Sequence, residues 1–213
     1  MSLLVCETFY SLLGESTGAG LPAFFIRLAG CNLRCRYCDT TYAYEGGQEM
    51  SAGELVQAAG SHPARRVLVT GGEPLLQAGT LPLLASLADA GLTVWLETNG
   101  SLPIREVDER VRRILDLKCP GSGMENHNLW ENLEQLRTGD EVKFVIMDQS
   151  DFAWAVEVIK RHDLAGGVPL LISPVFGAVP PQEAAAWILK SGLPLRLNLQ
   201  LHKYIWGPET RGV

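Results

Sequence analysis

Ala23-Phe24-Phe25-Ile26-Arg27-Leu28-Ala29-Gly30-Cys31-Asn32-Leu33-Arg34-Cys35-Arg36-Tyr37-Cys38-Asp39-Thr40 decides how the chain is read. Its first seven residues are an apolar run of strand length, broken by one arginine. A guanidinium buried there needs an anionic partner, because leaving it unpaired is costly. That partner is a carboxylate of the protein or of a substrate, and the run does not distinguish them. Gly30 then opens a loop holding three of the five cysteines, spaced C-x3-C-x2-C. Thiolates this close converge on one metal centre more readily than they form disulfides, and they suit iron–sulfur clusters and zinc. Structural sites of both kinds take four ligands, and the loop supplies three. Either Cys119, Cys6, Asp39 or a histidine completes a zinc site, or one iron is left open for a ligand.

Outward from this stretch, strand-like and helix-like segments alternate. Residues 1–20 read as a short strand and a glycine-rich turn, with Glu15 either a solvated carboxylate or a ligand group. Ser51-x-x-Glu54 is a capping box that opens a helix through Ala59. The strand Arg66 to Thr70 ends in Gly71-Gly72-Glu73-Pro74, and Pro74 suits the first position of a helix running through 75–90. Further strands are expected at 93–98, 114–118, 141–147, 169–172 and 195–199. Helices are expected near 105–112, near 129–137, from a cap at Asp151 to about His162, and from Pro181 to Lys190. No linker or repeat intervenes, so residues 1–213 read as one domain. Such alternation implies parallel strands with crossover helices.

Six or seven units are too few for a closed eight-fold barrel. Unusual polar residues cluster at the C-terminal strand ends: Cys31, Thr70 to Glu73, Glu97 to Asn99, Lys118, Asp148, Ser173 and Gln200. That placement favours a partial (β/α) barrel of about six units, with its active site at those ends, over an open doubly wound sheet.

A formal charge of −6 offers no electrostatic case for nucleic-acid binding. No apolar stretch is long enough to span a membrane. The odd cysteine count, three of them in one loop, excludes a secreted disulfide framework. The N-terminus shows no basic region followed by an apolar run. The expected compartment is a reducing cytoplasm.

The cysteine loop, followed at the next strand end by Gly71-Gly72-Glu73-Pro74, resembles the signature of the radical S-adenosylmethionine (SAM) superfamily. Four longer segments resemble one family within it, the 7-carboxy-7-deazaguanine synthases. They are Glu7-Thr8-Phe9-Tyr10-Ser11-Leu12-Leu13-Gly14-Glu15, then Gly20-x-Pro22-x-x-Phe25-x-Arg27-Leu28-x-Gly30-Cys31, then Cys38-Asp39-Thr40. The fourth is Gln200-Leu201-His202-Lys203-Tyr204-Ile205-Trp206, closing on Arg211-Gly212-Val213. The resemblance spans essentially the full length. One departure is Glu15-Ser16-Thr17, where the family usually reads Glu-Gly.

The resemblance implies a carbon–nitrogen lyase of queuosine biosynthesis. It would convert 6-carboxy-5,6,7,8-tetrahydropterin to 7-carboxy-7-deazaguanine with loss of ammonia. SAM would be cleaved reductively to methionine and a 5′-deoxyadenosyl radical, which would take hydrogen from C6 of the pterin. The rearranged substrate radical would take hydrogen back from 5′-deoxyadenosine, and SAM would be regenerated. The radical forms on the cofactor, so no side chain is implied as catalytic. Cys31, Cys35 and Cys38 are implied as ligands of a 4Fe–4S cluster. Tyr37, Cys38, Asp39, Gly72, Glu73, Lys118, Ser122, Ser173 and Pro174 are implied around SAM, with Glu73 accepting from its ammonium group. Leu12, Leu13, Gly14, Glu15, Arg27, Thr70, His202 and the carboxylate of Val213 are implied around the pterin. Thr40 is implied as an Mg2+ ligand, although as a residue type it reads first as a helix N-cap. A flavodoxin- or ferredoxin-like electron donor and a homodimer are also implied. The competing readings are a glycyl-radical activase and a zinc-dependent binding protein.

Overall fold

Nine strands form one sheet in the computed structural model, which describes residues 2–213. In chain order they are β1 (Ser2–Leu12), β2 (Pro22–Leu28), β3 (Gln48–Ser51), β4 (Arg66–Gly71), β5 (Thr93–Thr98), β6 (Arg112–Lys118), β7 (Glu141–Ile146), β8 (Leu170–Pro174) and β9 (Leu195–Leu197). The order across the sheet is β3-β1-β2-β4-β5-β6-β7-β8-β9. From β2 to β9 every pairing is parallel, while β1 pairs antiparallel with both β2 and β3. The helices are α1 (Ala52–Gly60), α2 (Thr80–Asp89), α3 (Gln149–Arg161), α4 (Pro181–Ser191) and α5 (Leu201–Ile205).

Side chains alternate between two faces of the sheet. One face carries Ile26, Val69, Leu96, Phe144 and Ile172 and packs on Leu55, Leu83, Leu87 and Ile159 of the helices. The other carries Phe25, Leu68, Trp95 and Ile114, closed over by Leu13. Two residues further along, the same inner positions are Arg27, Thr70, Glu97 and Asp116, which line a cavity with residues from the ends of β7 and β8. One cavity shared by β2 through β8 requires the sheet to curl, and β3 and β9 stand unpaired with each other at its two edges. The result is the partial barrel expected, with an apolar floor beneath a polar layer. A register shift between Val5 and Glu7 re-phases β1. It leaves Val5 opposite Leu28 on the helix side and Glu7 opposite Arg27 inside, as a bulge does when it re-aims a side chain.

Four expectations need correction. No α-helix forms near 105–112 or 129–137; the second segment is a 3-10 turn, Trp130–Gln135, and the first is turns. Side chains take over the work of those crossover helices. Asn132 donates to Gly100 O (3.1 Å) and Leu102 O (2.9 Å) and accepts from the Ile104 N–H (3.2 Å). Arg113, wholly buried, pairs with Asp140 and donates to Ile104 O and Gln135 O. Pro74 opens only a 3-10 turn, and α2 begins at Thr80, whose hydroxyl donates to Pro74 O (2.5 Å). The cap of α3 is Asp148, which accepts from the Asp151 N–H (2.9 Å); Asp151 instead accepts from the Gly121 and Met147 N–H groups (2.7 and 2.9 Å). The short polar strand β3 carries no alternation and was not expected. The Ser51–Glu54 capping box is present on α1 as read.

Candidate active site

The cysteine loop leaves β2 through Gly30, at φ +93°. Arg34 folds it back, donating to Cys31 O and Leu33 O at 2.8 Å each and lying 4.2 Å from the Tyr44 ring centre. Cys31, Cys35 and Cys38 all face the cavity as free thiols. Burial raises the Cys31 and Cys35 thiols, so iron must displace their protons on binding. Among the described residues, no three Cys, His, Asp or Glu side chains sit close enough together to hold a single ion. Cys119 lies in the core on the helix side, and Cys6 points its sulfur at Tyr42 O (4.0 Å). Three cavity thiols with no fourth cysteine beside them are a donor set that fits a cluster with one iron left open.

The glycine turn packs directly on the start of this loop. A Cβ on Gly71 would stand 2.1 Å from Leu28 O, and one on Gly72 2.1 Å from Gly30 O. The Glu73 N–H donates to Gly30 O (2.8 Å), which fixes the two strand ends together. Gly71 and Gly72 line the cavity, but Glu73 does not. Its wholly buried carboxylate accepts from the Leu75 N–H (2.9 Å), the Thr98 hydroxyl (2.9 Å) and the Asn99 N–H (2.7 Å). The expectation that Glu73 itself grips an ammonium is therefore corrected: its carboxylate holds the turn, and the glycines face the cavity. Ser122 is corrected likewise. It is buried in a turn, donating to Cys119 O (2.6 Å) and accepting from the Met124 N–H (2.9 Å).

Above the apolar floor lies a layer of charge. Arg27 gives its Nε–H to Glu7 (2.7 Å), which also accepts from the Tyr42 hydroxyl (3.0 Å). Its terminal nitrogens have no protein acceptor among the described residues, so the guanidinium has both an internal partner and a free edge toward the cavity. Lys143 Nζ sits among Glu97, Glu15 (3.2 Å) and Asp116 (3.6 Å), and Lys118 pairs with Asp116 (2.9 Å). Burial alone would lower both lysines, but these carboxylates outweigh it and hold them charged. Burial, with Glu97 and Asp39 nearby, pushes the Glu15 carboxyl up to about 7 against the pull of Lys143. Thr70 donates weakly to Glu97 (3.3 Å).

The wall opposite the floor is built by the two ends of the chain. Leu12, Leu13, Gly14 and Glu15 meet His202 and Val213 there. The Leu201 N–H donates to Gly14 O (2.9 Å), and His202 packs so closely that a Cβ on Gly14 would stand 2.3 Å from its Nδ1. Ser16, at φ +75°, gives its N–H to Asn198 Oδ1 (2.8 Å), and Thr17 gives its N–H and hydroxyl to the buried Glu141. Asp39 accepts from Lys203 (2.5 Å) and Gln200 (3.0 Å) on one oxygen and from Thr40 (2.9 Å) on the other. Burial acts to raise Asp39, and Lys203 with these hydrogen bonds overrides it and holds the carboxyl below its usual range. Thr40 precedes a 3-10 turn but makes no capping bond, so its hydroxyl remains in the cavity wall. Tyr37, whose hydroxyl donates to Val145 O (3.3 Å), Lys118, Ser173 and Pro174 complete the lining.

All the expected residues except Glu73 and Ser122 thus share one cavity of about 500 Å³. Asp116 and Lys143 were missed. The signal was available: each is a charge inside an apolar strand, as Arg27 is.

The model of the radical SAM superfamily matches residues 25–124. The 7-carboxy-7-deazaguanine synthase of Chlorobaculum tepidum is 46% identical, over 99% of this chain and 97% of its own. That of Koribacter versatilis is 42% identical, over 98% and 99%. The crystal structure of QueE from Escherichia coli superposes with a TM-score of 0.77 over 93% of this chain and 94% of its own, at 24% identity, and carries the same fold. With identity of this order from end to end, and cysteines, glycine turn and charged layer gathered in one cavity, the chain belongs to the 7-carboxy-7-deazaguanine synthases, lyases of the radical SAM superfamily.

Proposed function

We propose that the chain, as one domain, converts 6-carboxy-5,6,7,8-tetrahydropterin to 7-carboxy-7-deazaguanine and ammonia, with Mg2+ and with SAM recycled. The observation that carries this reading is a single cavity with three free thiols on one wall and Arg27, Lys143, Glu15 and Glu97 on another. Cys31, Cys35 and Cys38 would hold the 4Fe–4S cluster. The backbone at Gly71 and Gly72, with Tyr37, Lys118, Ser173 and Pro174, would hold SAM. When bound, cluster and SAM supply reversible hydrogen-atom abstraction.

The chain's own residues orient the substrate. Arg27 keeps Glu7 as its internal partner and offers its terminal nitrogens to the pterin carboxylate in charge-assisted bonds. Lys143 draws Glu15 and Glu97 together as acceptors for the N–H groups of the pterin ring. Thr40 gives its hydrogen to Asp39, which would leave the hydroxyl lone pairs free to ligate Mg2+. The α5 segment, tied down through Asp39 and Gly14, keeps water from that side of the cavity. A flavodoxin- or ferredoxin-like donor, a homodimer and a cytoplasmic setting go with this reading. No helix among the described residues is long and apolar enough to cross a membrane.

The test is an anaerobic reaction of reconstituted protein with dithionite, SAM, Mg2+ and the pterin, followed by mass spectrometry. Many turnovers to the deazaguanine with SAM undiminished are expected. SAM cleavage without that product would overturn the substrate assignment.

A further inference from the structure

Asn198 follows β9, the outermost parallel strand, and does not itself line the cavity. It is 5% exposed, yet both ends of its amide are occupied across the fold. Its Nδ2 donates to the Ser173 hydroxyl (2.7 Å) at the end of β8, and its Oδ1 accepts the Ser16 N–H (2.8 Å). Its backbone N–H is held by Ile172 O (2.9 Å), so the amide is fixed on the sheet. Ser173 stands on the side of the cavity read as the SAM site. Ser16 is the neighbour of Glu15, on the side read as the pterin site.

We propose that Asn198 is a positioning residue that sets the spacing between the two subsites. One planar amide spans them, so a shift of the Glu15 loop relative to β8 must break one of its two bonds. The loop needs such a tether, because Ser16 sits in a left-handed conformation that its own side chain disfavours. Hydrogen-atom transfer between two bound molecules depends steeply on their separation, and an ångström of misplacement costs about a hundredfold. A loosened bridge would therefore leave both ligands bound but poorly aligned, so that SAM, cleaved at the expense of one electron from the added dithionite, would end as methionine and 5′-deoxyadenosine whose hydrogen comes from buffer or protein instead of the pterin. The inference rests on the assignment of Ser173 to SAM and Glu15 to the pterin.

The test is Asn198→Leu, which fills a similar volume with neither hydrogen bond, beside Asn198→Asp. The aspartate keeps an acceptor for Ser16 and lets the Ser173 hydroxyl donate in turn. In the cluster-free protein, hydrogen exchange at the Ser16 amide should accelerate in Asn198→Leu and stay near wild type in Asn198→Asp. In the reconstituted protein, 5′-deoxyadenosine released per deazaguanine formed should rise roughly tenfold or more in Asn198→Leu, and Asn198→Asp should restore it. Loss of product with that ratio unchanged would mark Asn198 as merely structural and overturn the proposal. If Asn198→Leu does not fold, Asn198→Ala is judged on the same ratio. Calorimetry on Glu15→Gln and Ser173→Ala separates the two assumptions. Unchanged pterin and SAM affinities there overturn the subsites and the bridge together. Weakened affinities with an unchanged ratio in Asn198→Leu overturn the bridge alone.

Discussion

Ser16 shows how a single residue accounts for a departure from the family pattern. At φ +75° a glycine is the residue without strain, and Ser16 offsets its strain by accepting from the Gly18 N–H (3.0 Å) through its hydroxyl. Replacing it by glycine should therefore change stability by less than about 0.5 kcal/mol, since relief of strain and loss of that bond are each about 1 kcal/mol. Ser16→Ala keeps the strain and loses the bond, and its urea midpoint should fall by the equivalent of about 1 kcal/mol. Glu15 next to it sets a pH dependence. Its folded pKa of about 7 lies above the ordinary glutamate value, near 4.3. Across that window the folded chain keeps a proton that the unfolded chain has released, so stability falls as pH rises from about 4.3 to about 7. The Tm of wild type minus that of Glu15→Gln should fall through the window and level off above it. Arg27→Ala should weaken pterin binding roughly a hundredfold by calorimetry, the scale of a charge-assisted pair, with iron content and SAM affinity unchanged. The cysteines and Arg27 were legible in the sequence because their chemistry is costly anywhere but at a site. Glu73 was misread because a buried carboxylate that satisfies backbone N–H groups is spelled like one that meets a ligand.

At the scale of elements, hydrophobic runs and caps located eight of nine strands and the capping box of α1. They failed where the chain departs from strand–helix alternation. The two connections around β6 carry helix-like apolar residues, Val107, Leu133 and Leu136 among them, but reach the sheet as turns. Their backbone groups are met by Asn132 and by Arg113 of the Arg113–Asp140 pair, while Asn128 pins the Lys118 N–H and carbonyl at the end of β6, contacts that no local pattern encodes. Arg113 and Asp140 are each 1% exposed. Removing one partner strands a buried charge, so Asp140→Ala should cost about 3–5 kcal/mol in chemical denaturation. The loss should appear first as faster hydrogen exchange in residues 100–111, ahead of α1 and α2. The bulge in β1 was equally hidden, because Val5 and Glu7 share parity in the sequence and face opposite sides in the fold.

At the scale of the molecule, the barrel has a seam, and side chains close it where strands do not. Ser16 to Asn198, Thr17 to Glu141 and Asp39 to Lys203 all cross it. The last is partly exposed, with Asp39 45% accessible, and such a pair is worth about 1 kcal/mol or less. Lys203→Met should thus lower Tm by no more than about 4 °C. Amide exchange in α5 should quicken and the Michaelis constant for the pterin should rise, with the iron content unaltered. A seam sewn from both termini also imposes an order on biogenesis. The three thiols are translated by residue 38, whereas Asn198 follows about 160 residues later. At typical ribosomal speeds that interval is roughly 8–30 s, during which the nascent cysteine loop has no wall beside it. A cluster loaded in that time would enter an open half-barrel, before the last segment closes the chamber and restricts access to it.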